Sequence, residues 1–256
     1  MATYSYSRLN TFETCPLRYK FKYIDRIKKD TLSIEQFLGI CVHKAMEKLY
    51  RDIKMTKLNS LGDLTIFFND FWEKNWREDI QNIKGQYTFD NYRKLGQRCI
   101  RDYYRRYAPF DHDRTLALEE RVLFSLDEEG NYKMLGYIDR LSQSRDKEYN
   151  IHDYKTSATL PTQDKIDNDK QLALYQMAIH QRWPDVKNVR LIWHFMAFDK
   201  EMQAAHNDYE LENLKKETIE IIKTVERTKE FIPRESQLCY WCDYAGLCPV
   251  KKHPHK

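Results

Sequence analysis

Apolar residues recur along this chain at helical spacing, then at strand spacing, and then at helical spacing again. Ser5 and Ser7 are suited to cap a helix over about Arg8–Ile24, with Leu9, Phe12, Tyr19 and Tyr23 on one face. Leu38, Val42, Met46, Leu49 and Ile53 share the face of a second helix over Ile34–Ile53. Two further helical patterns, Leu61–Trp76 and Thr88–Tyr107, are rich in aromatic and basic residues, among them Arg98, Arg101, Arg105 and Arg106. Pro109 ends that region, and the period then changes to two. Thr115–Leu126, Tyr132–Ser142 and Tyr149–Thr156 read as a β-meander with turns at Asp127–Asn131 and Ser144–Lys147. A helix over Asp164–Arg182 and a strand over Val189–Phe198 come next. Asp208 opens a last helix striped by Leu211, Leu214, Thr218, Ile221, Ile222 and Val225. This order predicts an α/β fold, a mixed sheet with helices on both faces. No linker or internal repeat divides the chain, so one domain over 1–256 is expected.

Strand alternation concentrates chemistry at one place. Along Tyr149–Thr156, Ile151, Asp153 and Lys155 share one side, while His152, Tyr154 and Thr156 share the other. If the strand bearing Gly136-Tyr137-Ile138-Asp139 is its antiparallel neighbour, two carboxylates and an ammonium converge. Carboxylates that close repel unless a cation stands between them, and Mg²⁺ suits such an oxygen-rich site. A lysine beside a metal-bound water is the equipment of a phosphodiesterase. Asp-x-Lys taken alone is more often solvated charge on an exposed strand, so the rest of the chain must decide.

Composition narrows the choice a little. Lys and Arg number 43 against 39 acids, and the net charge of +4 permits nucleic acid without demanding it. Eighteen tyrosines suit either base stacking or ordinary half-buried faces. The amino terminus lacks a basic and apolar leader pattern, and no run approaches the ~18 apolar residues that span a bilayer. A cytoplasmic protein without membrane partners is expected, where structural disulfides are uncommon.

The cysteines then need another explanation. Cys239, Cys242 and Cys248 form Cys-x2-Cys-x5-Cys ahead of Pro249, and Cys15 precedes Pro16 near the other end. Zn²⁺ and iron–sulfur clusters both take four thiolates, so Cys15 is the best fourth ligand and spacing leaves both metals open. Cys41 and Cys99 fall within helical patterns and read as small buried hydrophobes.

Taken together, these motifs resemble the PD-(D/E)xK nuclease superfamily, and within it the RecB-like branch. That branch includes CRISPR-associated exonucleases and the nuclease domains of helicase–nuclease machines. Ser5-Tyr6-Ser7-Arg8-Leu9-Asn10-Thr11-Phe12 with Cys15-Pro16 is similar to the family's first helix and first cluster ligand. Gly39-Ile40-Cys41-Val42-His43 matches its Gly-x-x-x-His segment. Gly136-Tyr137-Ile138-Asp139 matches the first acid, and Asp153-Tyr154-Lys155-Thr156 the second acid and catalytic lysine. Gln171 and Tyr175 match the Gln-x-x-x-Tyr of the next helix. Each motif is weak alone; their order over nearly the whole chain is specific. Aspartate replaces the glutamate of some members at the second acid, with no consequence for Mg²⁺ or Mn²⁺ binding.

The resemblance implies a restriction-endonuclease-like mixed central sheet flanked by helices. It also implies a helical insertion over about 50–114 and a cluster-binding carboxy-terminal segment over about 231–250. A [4Fe–4S] cluster on Cys15, Cys239, Cys242 and Cys248 is expected, with structural Zn²⁺ as the alternative. His43, Asp139, Asp153 and the Tyr154 carbonyl are expected to hold Mg²⁺ or Mn²⁺, with Lys155, Gln171 and Tyr175 around the reacting water. One of Glu119 and Glu120 is a candidate additional acid. The implied activity is an exonuclease on single-stranded DNA or DNA ends, partnered by a helicase or by CRISPR-adaptation proteins, in DNA repair or CRISPR pathways. Arg18, Lys20, Lys22, Arg101 and Arg105 are candidates for tracking the strand. The alternative is a nuclease-fold subunit that binds nucleic acid with little activity of its own.

Overall fold

The computed structural model describes residues 2–28, 32–82, 85 and 87–250. In chain order its elements are β1 (Thr3–Tyr4), α1 (Tyr6–Thr14), α2 (Pro16–Tyr19), a π turn (Lys20–Ile24), α3 (Ile34–Lys54), α4 (Leu61–Asn75), α5 (Phe89–Tyr107), β2 (Asp113–Ser125), β3 (Lys133–Ser144), β4 (Tyr149–Lys155), α6 (Gln163–Asp167), α7 (Lys170–Arg182), β5 (Val189–Phe195), β6 (Lys200–Ala204) and α8 (Asp208–Arg227). Residues 83, 84 and 86 of the expected insertion, and 251–256 of the expected domain, lie outside the described residues. The chain contacts form two compact units. One comprises residues 1–30, 123–136 and 212–256, the other 31–122 and 137–211.

In the second unit β3 pairs antiparallel with β4, β4 runs parallel to β5, and β5 pairs antiparallel with β6; β2 also pairs with β3. This mixed sheet is flanked by helices. α3, α4 and α5 pack on one another through Phe37, Leu38, Phe68 and Trp72, and their apolar core takes in Tyr154 of β4. α7 packs against β4 and β5. Gly96 of α5 is approached closely by side chains of both α3 and α4. A Cβ there would stand 2.4 Å from Cζ of the fully buried Phe68 and 2.9 Å from Leu38 Cδ1.

Beneath those helices lies a buried polar network. Arg140 of β3, opposite His152 of β4, reaches Asp113 Oδ1 at 2.7 Å, stacks 4.0 Å over the Tyr50 ring, and donates to His152 Nδ1 at 3.1 Å. His194 Nε2 meets the same Nδ1 at 3.0 Å. Nδ1 of His152 is therefore the acceptor and its Nε2 carries the proton, facing Ser142 Oγ at 2.8 Å. Burial, reinforced by the Arg140 charge, depresses His152 to about 4, so the imidazole is neutral. Burial opposes ionisation of Asp113, but His152, Arg140 and Ser142 outweigh it and hold that carboxyl well below the usual range. The network ties β2, β3, β4 and β5 into one register, and so sets Asp139 of β3 beside Asp153 of β4.

In the first unit, Thr3 and Tyr4 run parallel to Lys133 and Met134. The Arg8 guanidinium lies 4.7 Å over Tyr4 and 5.5 Å over each of Tyr19 and Tyr23, while its Nε donates to Tyr19 Oη at 3.0 Å.

Several elements differ from the expectations of the sequence. The helix expected over Arg8–Ile24 breaks at Cys15, which is extended at φ −160° because the adjoining Pro16 disfavours helical geometry. The helix over Asp164–Arg182 is two helices, since Asp169 leaves the helix to cap α7 through Gln171 N. The strand over Val189–Phe198 ends at Phe195 in a 3-10 turn, and β6 comes after it. β1 is too short to leave a periodic signal.

Substituting Gly96→Ala forces a methyl into the Phe68 ring edge and is expected to destabilise by about 1–3 kcal/mol. Urea unfolding checks it through a lowered midpoint at unchanged slope.

Candidate active site

The middle of β3 and the end of β4 bring the acids together. With Arg140 opposite His152, the residue before one and after the other, Asp139 and Asp153, come side by side on the opposite face of the two strands. The Tyr154 backbone N–H donates to Asp139 Oδ2 at 2.9 Å, which fixes that carboxylate against β4. His43 comes from the middle of α3, between the buried Val42 and Ala45, far away in the chain. Its Nε2 lies 2.6 Å from the Tyr154 carbonyl oxygen, and its Nδ1 lies 3.5 Å from Asp139 Oδ2. Since a carbonyl only accepts, Nε2 carries a proton, and Nδ1 is the ring atom turned to the carboxylate. With the imidazole neutral, that nitrogen and the carboxylate oxygen could both reach one cation.

Burial, opposed by His43 and reinforced by Asp153 and Glu119, holds Asp139 above the usual carboxylate range. His43, Glu119 and Asp139 each offer one donor atom, all within 4.8 Å of one another. A nitrogen and carboxylate oxygens in this disposition suit a divalent ion such as Mg²⁺ or Mn²⁺. Asp153 is buried; its Oδ1 accepts from Lys155 Nζ at 3.0 Å. Its Oδ2, though 2.7 Å from the same ammonium, has no hydrogen-bond partner. Burial works against charge on Lys155, yet Asp153, Asp139 and Asp169 outweigh it and raise its pKa. Lys155 is therefore an ammonium, able to donate and to neutralise but not to act as a base.

The structure thus gathers His43, Asp139, Asp153, the Tyr154 backbone and Lys155. Gln171 and Tyr175, one helical turn apart on α7, touch through Nε2 and Oη at 3.4 Å, and Tyr175 lies within electrostatic reach of both acids. Asp169 escaped the sequence reading although it faces Lys155 electrostatically. Burial raises its carboxyl, while backbone N–H donors and Lys155 work the other way. The available signal was its place as an acid just ahead of an apolar helix, an N-cap position. Of the basic residues considered for strand tracking, Arg18 pairs with Asp243 at 3.6 Å, Lys20 with Asp25 at 2.6 Å and Arg101 with Asp102 at 2.9 Å.

In the first unit, Cys15, Cys239, Cys242 and Cys248 line one cavity with Thr14, Arg18 and Pro233. The Arg234 backbone N–H points at Cys15 Sγ (3.5 Å) and that of Ser236 at Cys239 Sγ (3.4 Å). All six cysteines are free, and burial pushes both Cys41 and Cys99 up to about 12, as expected of packed thiols.

Residues 3–249 match the family model of the PD-(D/E)XK nuclease superfamily. The chain belongs to that superfamily. The nuclease is also similar to the crystal structure of a proposed exonuclease from Eubacterium rectale, at 13% identity and a TM-score of 0.54, over 99% of this chain and 88% of the other. SSO0001, also 13% identical, covers 96% of this chain and 95% of its own at a TM-score of 0.37. No curated protein matches the sequence. No described helix of the nuclease is long and apolar enough to cross a membrane.

A carboxyl whose pKa is higher in the fold than in the unfolded chain binds its proton more tightly when folded. It therefore lowers stability at high pH, and the penalty fades as pH falls toward the ordinary aspartate value. In EDTA, Asp139→Asn should melt above the parent at pH 8, and the gap should close on acidification; scanning calorimetry across pH checks it.

Proposed function

We propose that this nuclease is a divalent-metal-dependent exonuclease acting on single-stranded DNA or DNA ends. The observation that carries the reading is the convergence of His43, Asp139, Asp153 and Lys155 where the end of β4 lies beside the middle of β3. His43, Asp139, Asp153 and the Tyr154 carbonyl would hold Mg²⁺ or Mn²⁺. An ion there supplies polarised phosphate oxygens and a bound water of lowered pKa. Lys155, kept charged by its acidic neighbours, orients the attacking water and neutralises charge that develops on the phosphorane. Gln171 positions the lysine side of the site and Tyr175 packs along the substrate path. No side chain is required as a covalent nucleophile.

The four thiols are proposed to hold a [4Fe–4S] cluster rather than zinc. Among the described residues only His43, Glu119 and Asp139 gather three donor atoms within 4.8 Å. A tetrahedral Zn²⁺ site with bonds of about 2.3 Å would bring its sulfurs to about 3.8 Å of one another. A cluster spreads its thiolates over four irons and suits the wider spacing. A helicase or CRISPR-adaptation partner is a proposal of the same reading, resting on the motif order.

Asp153→Ala and Lys155→Ala should each reduce Mg²⁺- or Mn²⁺-dependent digestion of end-labelled DNA by at least about a hundredfold while leaving the fold intact. Cleavage retained by either variant would place the activity elsewhere. Separately, Cys242→Ser should bleach the visible iron–sulfur absorbance and lower Tm by several degrees; a colourless, zinc-loaded parent would defeat the cluster assignment.

A further inference from the structure

Glu119 is the one described non-glycine residue with positive φ inside a strand. Its φ is 49°, whereas Arg26, Thr56, Phe110, Lys147 and Asp199 adopt such values in turns or loops. A left-handed residue in a strand carries a steric cost and re-aims the side chains beyond it, as in a β-bulge. The burial pattern of β2 records the slip. Thr115, at an odd position, is buried before Glu119; Val122 and Phe124, at even positions, are buried after it. The displaced alternation separates two adjacent acids. Glu120 pairs with Arg182, and Glu119 joins His43 and Asp139.

We propose that Glu119 is a further protein ligand of the divalent ion that the reading above gives to His43, Asp139 and Asp153, and that the left-handed backbone at this position exists to aim its carboxylate there. The proposal rests on the metal-dependent reading above and assigns a ligand from β2 to that centre. Glu119 then adds a donor from β2 to those from α3, β3 and β4, with Lys155 beside Asp153. The backbone strain has a natural role under this assignment, because a strand in regular alternation would direct residue 119 differently.

Mn²⁺ binding followed by electron paramagnetic resonance tests the assignment, together with melting in EDTA. Glu119→Gln should weaken Mn²⁺ binding tenfold or more and should not lower Tm in EDTA, since it removes a like charge from beside Asp139. Glu119→Asn, whose side chain tolerates the left-handed region, should lose Mn²⁺ similarly with Tm at or above the parent. Glu120→Gln should bind Mn²⁺ as the parent does. If Glu119→Gln and Glu119→Asn bind like the parent while Asp139→Asn does not, the ligand assignment is wrong and the metal centre stands. A lower Tm in EDTA for both variants with unaltered Mn²⁺ affinity would make Glu119 purely structural. A parent that binds no Mn²⁺ would remove the centre and this ligand with it.

Discussion

Carboxylates brought together in a partly buried corner repel, and the candidate site of this nuclease is organised around that repulsion. Asp139 is fixed by the Tyr154 backbone, Asp153 stands beside it on the neighbouring strand, and His43 turns Nδ1 to the same oxygen. Lys155 is the fixed cation that answers these groups, and it leans on Asp153. The negative potential that remains on the His43–Asp139 side suits a cation. Burial and like charge hold Asp139 above its usual range, so the corner is arranged at a cost to local stability.

Such a corner holds only if its strands cannot slide. A one-residue slip between β3 and β4 would turn Asp139 to the other face and replace it with Arg140. The buried network prevents this from the opposite side of the sheet. Arg140, Asp113, Ser142, His152 and His194 meet in one arrangement, in which Arg140 and the carboxylate fix the protons of the first imidazole. Buried charge of this kind contributes little net stability compared with an apolar core, but breaking it strands an ion in the interior, at about 3–5 kcal/mol. Its value here lies in specifying register.

Much of this was legible in advance. The pairing of Gly-x-x-Asp with Asp-Tyr-Lys, the separate histidine helix and the cysteine run all carry local patterns, and the sheet and its flanking helices track the period changes. The elements that escaped did so for local reasons. β6 is a charged edge strand, Lys200-Glu201-Met202-Gln203-Ala204, and edge strands carry polar residues that hide their period. The break at Cys15 is written in Pro16, yet the apolar spacing of Leu9, Phe12 and Tyr19 overrides that signal when read as one helix. Asp169 looked like one more charge within a helix, although it caps α7 beside Lys155.

By itself, the sequence determined which side chains are available and which share a face, because strand and helix periods are local properties of the backbone. It could not decide between Glu119 and Glu120, since one backbone angle at φ 49° sends the first toward His43 and leaves the second with Arg182. It put His152 on the face opposite Asp153, but could not show that Arg140 and His152 join a buried network there. Those outcomes depend on contacts between residues remote in the chain, where burial and neighbouring charge settle what a polar residue does.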